Sequence, residues 1–443
     1  MLYYEITIET NEKVIGKIAE KCSAESVKDD KQKAILTKLN AKAKCRFGDN
    51  KNKVLYFSDF DEKKITAVVG CKYECLSDIY DDILFMFKRY AEQKYNIKFN
   101  EITVEYFESS LNQISDMGYA RIGLYNLNRR LKLDYRNNIT FSATQTIVPE
   151  NKLSYNDAVV KANEIMASGD FADELKRIYS DKHPKEFFGH PVHYKISADE
   201  VQSAWEQAKL LVRCLYSNGR LKSRRIDRVN KVTDSCYDED DMFNLFYNAE
   251  GGTVFLELMP HNFENNCYAS AYEQVIDFLA AIIRKYAKNV LVVIVEITKV
   301  QGVSKKLVSR VAEDIDVISI SEGSGSAEAA KSYMKHLIKN SSLAGYSLDD
   351  VVFDKEKYKA SEVHKMFNSW TKSSLKERIY TEYAKKSVKL EKKEDEMSDA
   401  YIKLQNMVGL NDVKSVIDNI IAAYKIQKMR MGILNPMPFL QGI

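Results

Sequence analysis

Hydrophobic and polar positions divide the chain into short alternating runs and longer runs of helical period. Leu2–Glu9 alternates as a strand with one buried face does. A Lys- and Ala-rich stretch to about Ala43 predicts a helix. Val54–Phe60 and Lys64–Cys71 read as two strands turned by Asp61-Glu62-Lys63. Within Asp78–Tyr95, Ile79, Ile83, Leu84, Phe87 and Tyr90 recur at helical spacing, and Ile102–Phe107 reads as a last strand.

Residues 1–108 are thus expected to run β-α-β-β-α-β, the order of a ferredoxin-like split unit, an arrangement that by itself names no activity. A helix signal follows, and then Leu131–Thr146, which reads as a hairpin around Arg136-Asn137-Asn138. Pro149-Glu150-Asn151-Lys152 marks a boundary. Residues 154–180 are helical in pattern, with Ser154 or Asn156 as cap. Val201, Ala204, Trp205, Ala208, Leu211, Val212 and Leu215 then share one face of a strong helix ended by Asn218-Gly219.

The later segments alternate as a doubly wound α/β domain does. Asn248–Leu258 carries two glycines into the apolar run Val254–Leu256 and a carboxylate, Glu257. A run that short, rich in Val and Phe, predicts a strand buried on both faces. The helix Tyr272–Tyr286, a strand Val290–Ile297, a segment containing Arg310, a strand Ile315–Ile320 and a helix from Ser326 follow. Residues 355–398 are dense in charge and read as a solvated helical connector. Order resumes at Tyr401–Met431, where Val413, Val416, Ile417, Ile420, Ile421 and Tyr424 recur at helical spacing.

Composition narrows this picture. A chain of 443 residues has room for two or three domains, and a formal net charge of +3 argues for neither nucleic acid nor membrane. Seven cysteines, an odd number scattered along the chain, suit a reducing compartment. The N-terminus lacks the basic-then-apolar pattern of a signal peptide, and no apolar run is long enough to cross a bilayer, so a cytoplasmic protein is expected. Cys71 and Cys75 are spaced wider than a CxxC pair and lack a second pair nearby, so they read as incidental thiols rather than half a metal site. Arg129-Arg130 reads as a solvated face or a contact to an acidic partner, and Gly219–Arg228 as a solvated turn or a contact to phosphates. His183, His190 and His193 cluster with Glu186, which reads as a lapsed phosphate loop rather than a metal site.

Two segments carry a resemblance. Leu404-Gln405-Asn406-Met407-Val408-Gly409-Leu410-Asn411-Asp412-Val413-Lys414-Ser415-Val416-Ile417 resembles the segment that opens an AAA+ ATPase domain of the CbxX/CfxQ type, ahead of a long basic helix and the nucleotide-binding loop. Residues 155–345 resemble, more loosely, an AAA+ domain without its chemistry. Gly189–Ile196 can be laid on the phosphate loop: Gly189 and Lys195 match, Val192 and Tyr194 replace glycines, and Ile196 replaces the Mg²⁺-ligating hydroxyl. Glu257 then takes the first acidic place of the Walker B strand and Leu258 the second, which removes the general base. Thr298 matches a γ-phosphate sensor, and Arg310 lies near the family's arginine finger, where it could serve a neighbouring subunit.

The expected organisation is an N-terminal α+β recognition domain (1–150), a degenerate AAA+, P-loop NTPase-like domain with a parallel sheet and flanking helices (151–350), a charged connector (351–400) and the start of a second AAA+ domain (401–443). The resemblance implies a ring-forming machine that remodels proteins, with ATP and Mg²⁺ as cofactors of the whole family protein and an active core beyond Ile443. For this chain it implies a non-catalytic assembly or substrate-docking portion with no cofactor of its own. The alternatives are a nucleic-acid-binding module and a pseudo-ATPase that binds ATP without hydrolysing it.

Overall fold

The computed structural model describes residues 1–9, 28–48, 50, 52–61, 64–87, 95–133, 135, 141–180, 187–230, 239–258, 269–298, 302–348, 351–383, 414, 416 and 417. Met1–Lys372 forms one compact unit and Ser373–Ile443 a second. Within the second unit, Leu375–Ile379 and Thr381–Tyr383 make short helical turns, and Lys414, Val416 and Ile417 are helical. The remainder of the segment resembling an AAA+ domain start, like Lys385-Lys386 and the charge run after it, lies outside the described residues.

The first unit contains two large sheets. One is built from β1 (Leu2–Glu9), β2 (Lys53–Phe60), β3 (Lys64–Cys71) and β4 (Asn96–Glu101), in the order β2-β3-β1-β4, all antiparallel. The alternation of β1 sends Leu2, Ile6 and Ile8 to one face, against Leu36 and Leu39 of α1 (Lys28–Phe47) and Ile79, Ile83 and Phe87 of α2 (Leu76–Phe87). Tyr3 goes to the other face, against Phe107 and Leu111 of α3 (Val104–Asp116) and Leu127 and Leu131 of α4 (Leu124–Leu131).

Two expectations fail here for identifiable reasons. Ile102–Phe107 is no strand, because the Thr103 hydroxyl accepts the Tyr106 amide at 3.2 Å and caps α3. Val104, Phe107, Leu111 and Ile114 then line up at helical period, and the strand lies just before them, at the sheet edge. Leu131–Thr146 is no hairpin either. Leu131 ends α4, with Lys132 in the left-handed region at φ 58°, and β5 (Ser142–Ile147) pairs instead with Arg225–Asn230 of the second sheet. The expected turn residues Arg136-Asn137-Asn138 lie outside the described residues.

The second sheet comprises β5, β6 (His193–Ala198), β7 (Arg225–Asn230), β8 (Thr253–Glu257), β9 (Leu291–Ile297) and β10 (Val317–Ser321), in the order β10-β6-β9-β8-β7-β5. All neighbours are parallel except β5 and β7. Helices α5 (Tyr155–Glu164) and α6 (Gly169–Ile178) precede β6, and α7 (Val201–Ser217) follows it. Trp205 of α7 meets Phe255 edge-on at 4.9 Å on one face of the sheet. Leu245 of α8 (Glu239–Asn248), Ile276 and Leu279 of α9 (Ala269–Tyr286) and Leu307 of α10 (Val303–Val311) meet Val254, Leu256, Val292 and Ile294 on the other. The expected α/β architecture, a largely parallel sheet flanked by helices, is therefore present. Beyond β10, α11 (Ala327–Lys339) and α12 (Ala360–Ser374) follow, with a two-residue strand pair at Ser324–Gly325 and Tyr358–Lys359 between them in space.

The sheets meet at a buried polar junction. Arg225, 1% exposed, pairs with Asp227 at 3.3 Å and donates to the carbonyls of Met1 (3.1 Å) and Asn248. The Met1 amine donates to the carbonyls of Tyr247 (3.2 Å) and Asn248 (3.0 Å), and Tyr3 donates to the Asn248 side chain at 2.6 Å. Burial, with Arg225 beside it, pulls the Met1 amine down to about 5. Glu101, at the end of β4, accepts the Ser223 hydroxyl and, at 2.8 Å, the Arg224 amide. Removing one member of a buried pair leaves the other charge uncompensated. Arg225→Ala should therefore lower unfolding stability by about 3–5 kcal/mol, read from urea titration. Lys98→Ala, which breaks an exposed pair with Glu9, should leave the urea midpoint nearly unchanged.

Candidate functional site at the strand ends

In an open parallel sheet, a crevice forms beyond the carboxyl ends of the strands where successive crossovers leave on opposite faces. Here α7 leaves β6 over one face and α10 leaves its neighbour β9 over the other. The crevice position is lined by Ala198-Asp199-Glu200 after β6, Ile297-Thr298 ending β9, and Ser321-Glu322 ending β10.

An anion already occupies the start of α7. Glu322, 7% exposed, accepts the Asp199 amide at 3.0 Å on one oxygen. Its other oxygen accepts the Ser203 hydroxyl at 3.3 Å and the Ser361 amide at 3.1 Å. Lys359 places its Nζ 3.1 Å from Asp199 and 3.6 Å from Glu322, and the Thr298 hydroxyl donates to Asp199. Amides and positive dipole at a helix start favour negative charge, and a carboxylate of the chain supplies it.

The residues singled out from the sequence take definite places around this frame. Lys195 lies within β6, between Ile294 and Ser319, with its Nζ 2.8 Å from Glu296. Burial works against the Glu296 charge, but hydrogen bonds from Lys195 and Ser197 hold its carboxyl below the usual range. Glu257 ends β8 and receives Arg228 through Nη2 (2.7 Å) and Nε (2.9 Å). Thr298 is at the crevice, bonded to Asp199. Arg310 sits on α10, with its Nε 3.3 Å from Asp277. Gly189 precedes β6, at φ +120°, packed on Lys288.

This corrects the alignment of Gly189–Ile196 on a phosphate loop. Such a loop leads from the carboxyl end of a strand into a helix. Gly189 instead leads into the amino end of β6, and Lys195 is part of that strand. The turn in the required place is Ala198-Asp199-Glu200-Val201, which has two carboxylates and neither glycine nor lysine. The alternation of Tyr194, Ile196 and Ala198 directly before a strong helix was the available signal. Glu322 gave none, since it joins the site from more than a hundred positions away.

Other candidates also resolve. Arg224 and Arg225 are buried and Arg228 is paired with Glu257, so only the start of Gly219–Arg228, with Lys222 exposed, is the expected turn. Its second half is the strand β7, whose partners neutralise its charges. Burial pushes the Cys71 thiol up to about 12, at the end of β3. Among the described residues, no group of three or more His, Cys, Asp or Glu side chains is arranged to hold a metal, and no helix is long and apolar enough to cross a membrane. His183 and Glu186 lie outside the described residues.

His190 and His193 line a cavity of about 640 Å³ at the amino end of β6. His193 Nδ1 accepts the Val292 amide at 3.0 Å, so the neutral ring carries its proton on Nε2. Burial pulls His193 down to about 4, opposed by the Ala287 carbonyl, and burial together with His193 pulls His190 down to about 3.

Compared with protein-family models, curated proteins and solved structures, the chain matches none.

His193 provides a pH test. It is neutral in the folded chain and titrates near its ordinary value of 6.5 when unfolded, so below that value the unfolded state binds the extra proton. Stability present above pH 6.5 should be lost as pH falls towards 4, at up to about 1.4 kcal/mol per pH unit from this group. Urea midpoints from pH 7 to 4.5 should show that slope in the native chain and a shallower one in His193→Gln.

Proposed function

We propose that this chain is a non-catalytic assembly or substrate-docking portion of an AAA+-type protein-remodelling machine. In this reading the second sheet is a degenerate AAA+ domain, and the first, with its β-α-β-β-α-β order, is a ferredoxin-like recognition unit. ATP hydrolysis is supplied by an intact AAA+ domain elsewhere in a homo-oligomeric ring, and the first sheet meets the protein partner.

One observation supports this above the rest. The strand-end positions where nucleotide chemistry would stand are neutralised from within. Glu322 takes up the turn before α7, Glu257 is bound by Arg228, and Thr298 is bonded to Asp199. A general base and a phosphate cradle need those groups free to reach substrate. The sheet itself, largely parallel and with a strand–turn–helix at β6–α7, is compatible with a P-loop-like domain. The nucleic-acid alternative has less support, because its basic segment Arg220–Arg228 is largely taken into the fold.

The test is phosphate release by the full chain with ATP and Mg²⁺. The expected outcome is turnover no higher than that of buffer, and equal for the native chain and Glu257→Gln. A Mg²⁺-dependent rate that Glu257→Gln abolishes would refute the proposal.

A further inference from the structure

A second cavity, of about 390 Å³, lies among α1, β2 and the segment from Tyr119 to Arg130. That volume suits a small organic ligand. Its lining includes three cations, Lys44, Arg121 and Arg130, and no carboxylate. None of the three pairs with a carboxylate among the described residues. This differs from the second sheet, where Lys195, Arg225 and Arg228 each have an acidic partner.

Arg130 is anchored rather than solvated. Its Nη1 donates to the Gly48 carbonyl, just beyond α1, at 2.6 Å. Its Nε is buried and makes no hydrogen bond among the described residues. Tyr56 shares the cavity. Burial pushes its phenol up, and the Arg130 guanidinium acts against that rise, which places the two groups within electrostatic reach. Opposite, the Tyr119 carbonyl is fixed by Asn40, whose side chain also bonds both backbone groups of Phe57. The walls are therefore held by the fold, and Lys44 and Arg121 are exposed at the surface. A cation in the last turn of α1 is favourable to a helix terminus by itself, which accounts for Lys44. It does not account for Arg121 and Arg130, which come from elsewhere in the chain.

Three like charges converging on one cavity repel one another, and an incoming anion relieves that repulsion. A guanidinium held in place by one carbonyl and without a carboxylate partner presents its charge to an oxyanion, and Tyr56 and Tyr119 line the cavity beside it. We propose that this cavity binds a small organic oxyanion, a phosphate or carboxylate group carried on an apolar or aromatic body. The inference does not rest on the ATPase reading, since no residue of the second sheet takes part.

The experiment is calorimetric titration of the full chain at low salt with phenyl phosphate, inorganic phosphate and benzoate. Saturable binding of phenyl phosphate or benzoate is expected, the tighter of the two assigning the site to phosphate or to carboxylate. Inorganic phosphate should bind more weakly than phenyl phosphate, since it has no ring. The double variant Lys44→Gln/Arg121→Gln, changed only at exposed positions, should bind about tenfold more weakly or worse, while Lys98→Gln should match the native chain. Absence of saturable binding with all three probes would overturn the proposal. So would equal affinity in the double variant when its thermal melt matches the native one.

Discussion

The first unit depends on one buried guanidinium. A charge taken out of water must be met on several sides, and Arg225 is met by Asp227 on its own strand and by the carbonyls of Met1 and Asn248. Those carbonyls come from the start of β1 and the end of α8, so one side chain fixes where both sheets converge. Asn248 turns the same point into a hub. Its side chain accepts Tyr3 and donates to the Lys132 carbonyl at 2.8 Å, while its own carbonyl accepts Arg225 and the Met1 amine. Burial presses against the Arg225 charge, but Asp227 and its other acidic neighbours more than offset it, so the cation persists.

The second sheet is organised on different terms. Its strands are apolar and buried, as crossovers on both faces require, and its polar groups gather at the carboxyl ends. There each charge meets another within the chain. Glu296 answers Lys195, Glu257 answers Arg228, and Glu322 answers Lys359 while accepting the Asp199 amide just before α7. A crevice of this topology is where a doubly wound fold ordinarily admits a ligand, and here Glu322, just after β10, meets Lys359 there.

Much of the fold was legible because period and length agree for most elements. Leu2–Glu9, Thr253–Glu257, Leu291–Ile297 and the α7 face announce themselves by spacing alone. The failures share a cause. Strands that alternate charged with apolar residues, such as His193–Ala198 and Arg225–Asn230, resemble loops or basic patches until their partners are known. Tertiary pairing, absent from any local window, neutralises Lys195, Arg225 and Arg228 and makes strands of these segments. Thr103 shows the reverse case, where one capping hydroxyl outweighs a strand-like run of Ile, Val, Tyr and Phe. At the site, Glu257 and Thr298 lie where strand ends predict, but the turn at Asp199-Glu200 carries no local signal, because it lacks the glycines of a phosphate loop.

The Glu322 carboxylate also changes how the domain relates to its surroundings. A helix start that waits for a dissolved anion is more stable when that anion is abundant, because binding to the folded state alone draws the equilibrium towards it. When the anion is a side chain, its local concentration is set by chain connectivity and stays constant. The hydrogen bonds that Glu322 accepts from Asp199 and Ser203 are thereby present whatever ions the surroundings hold.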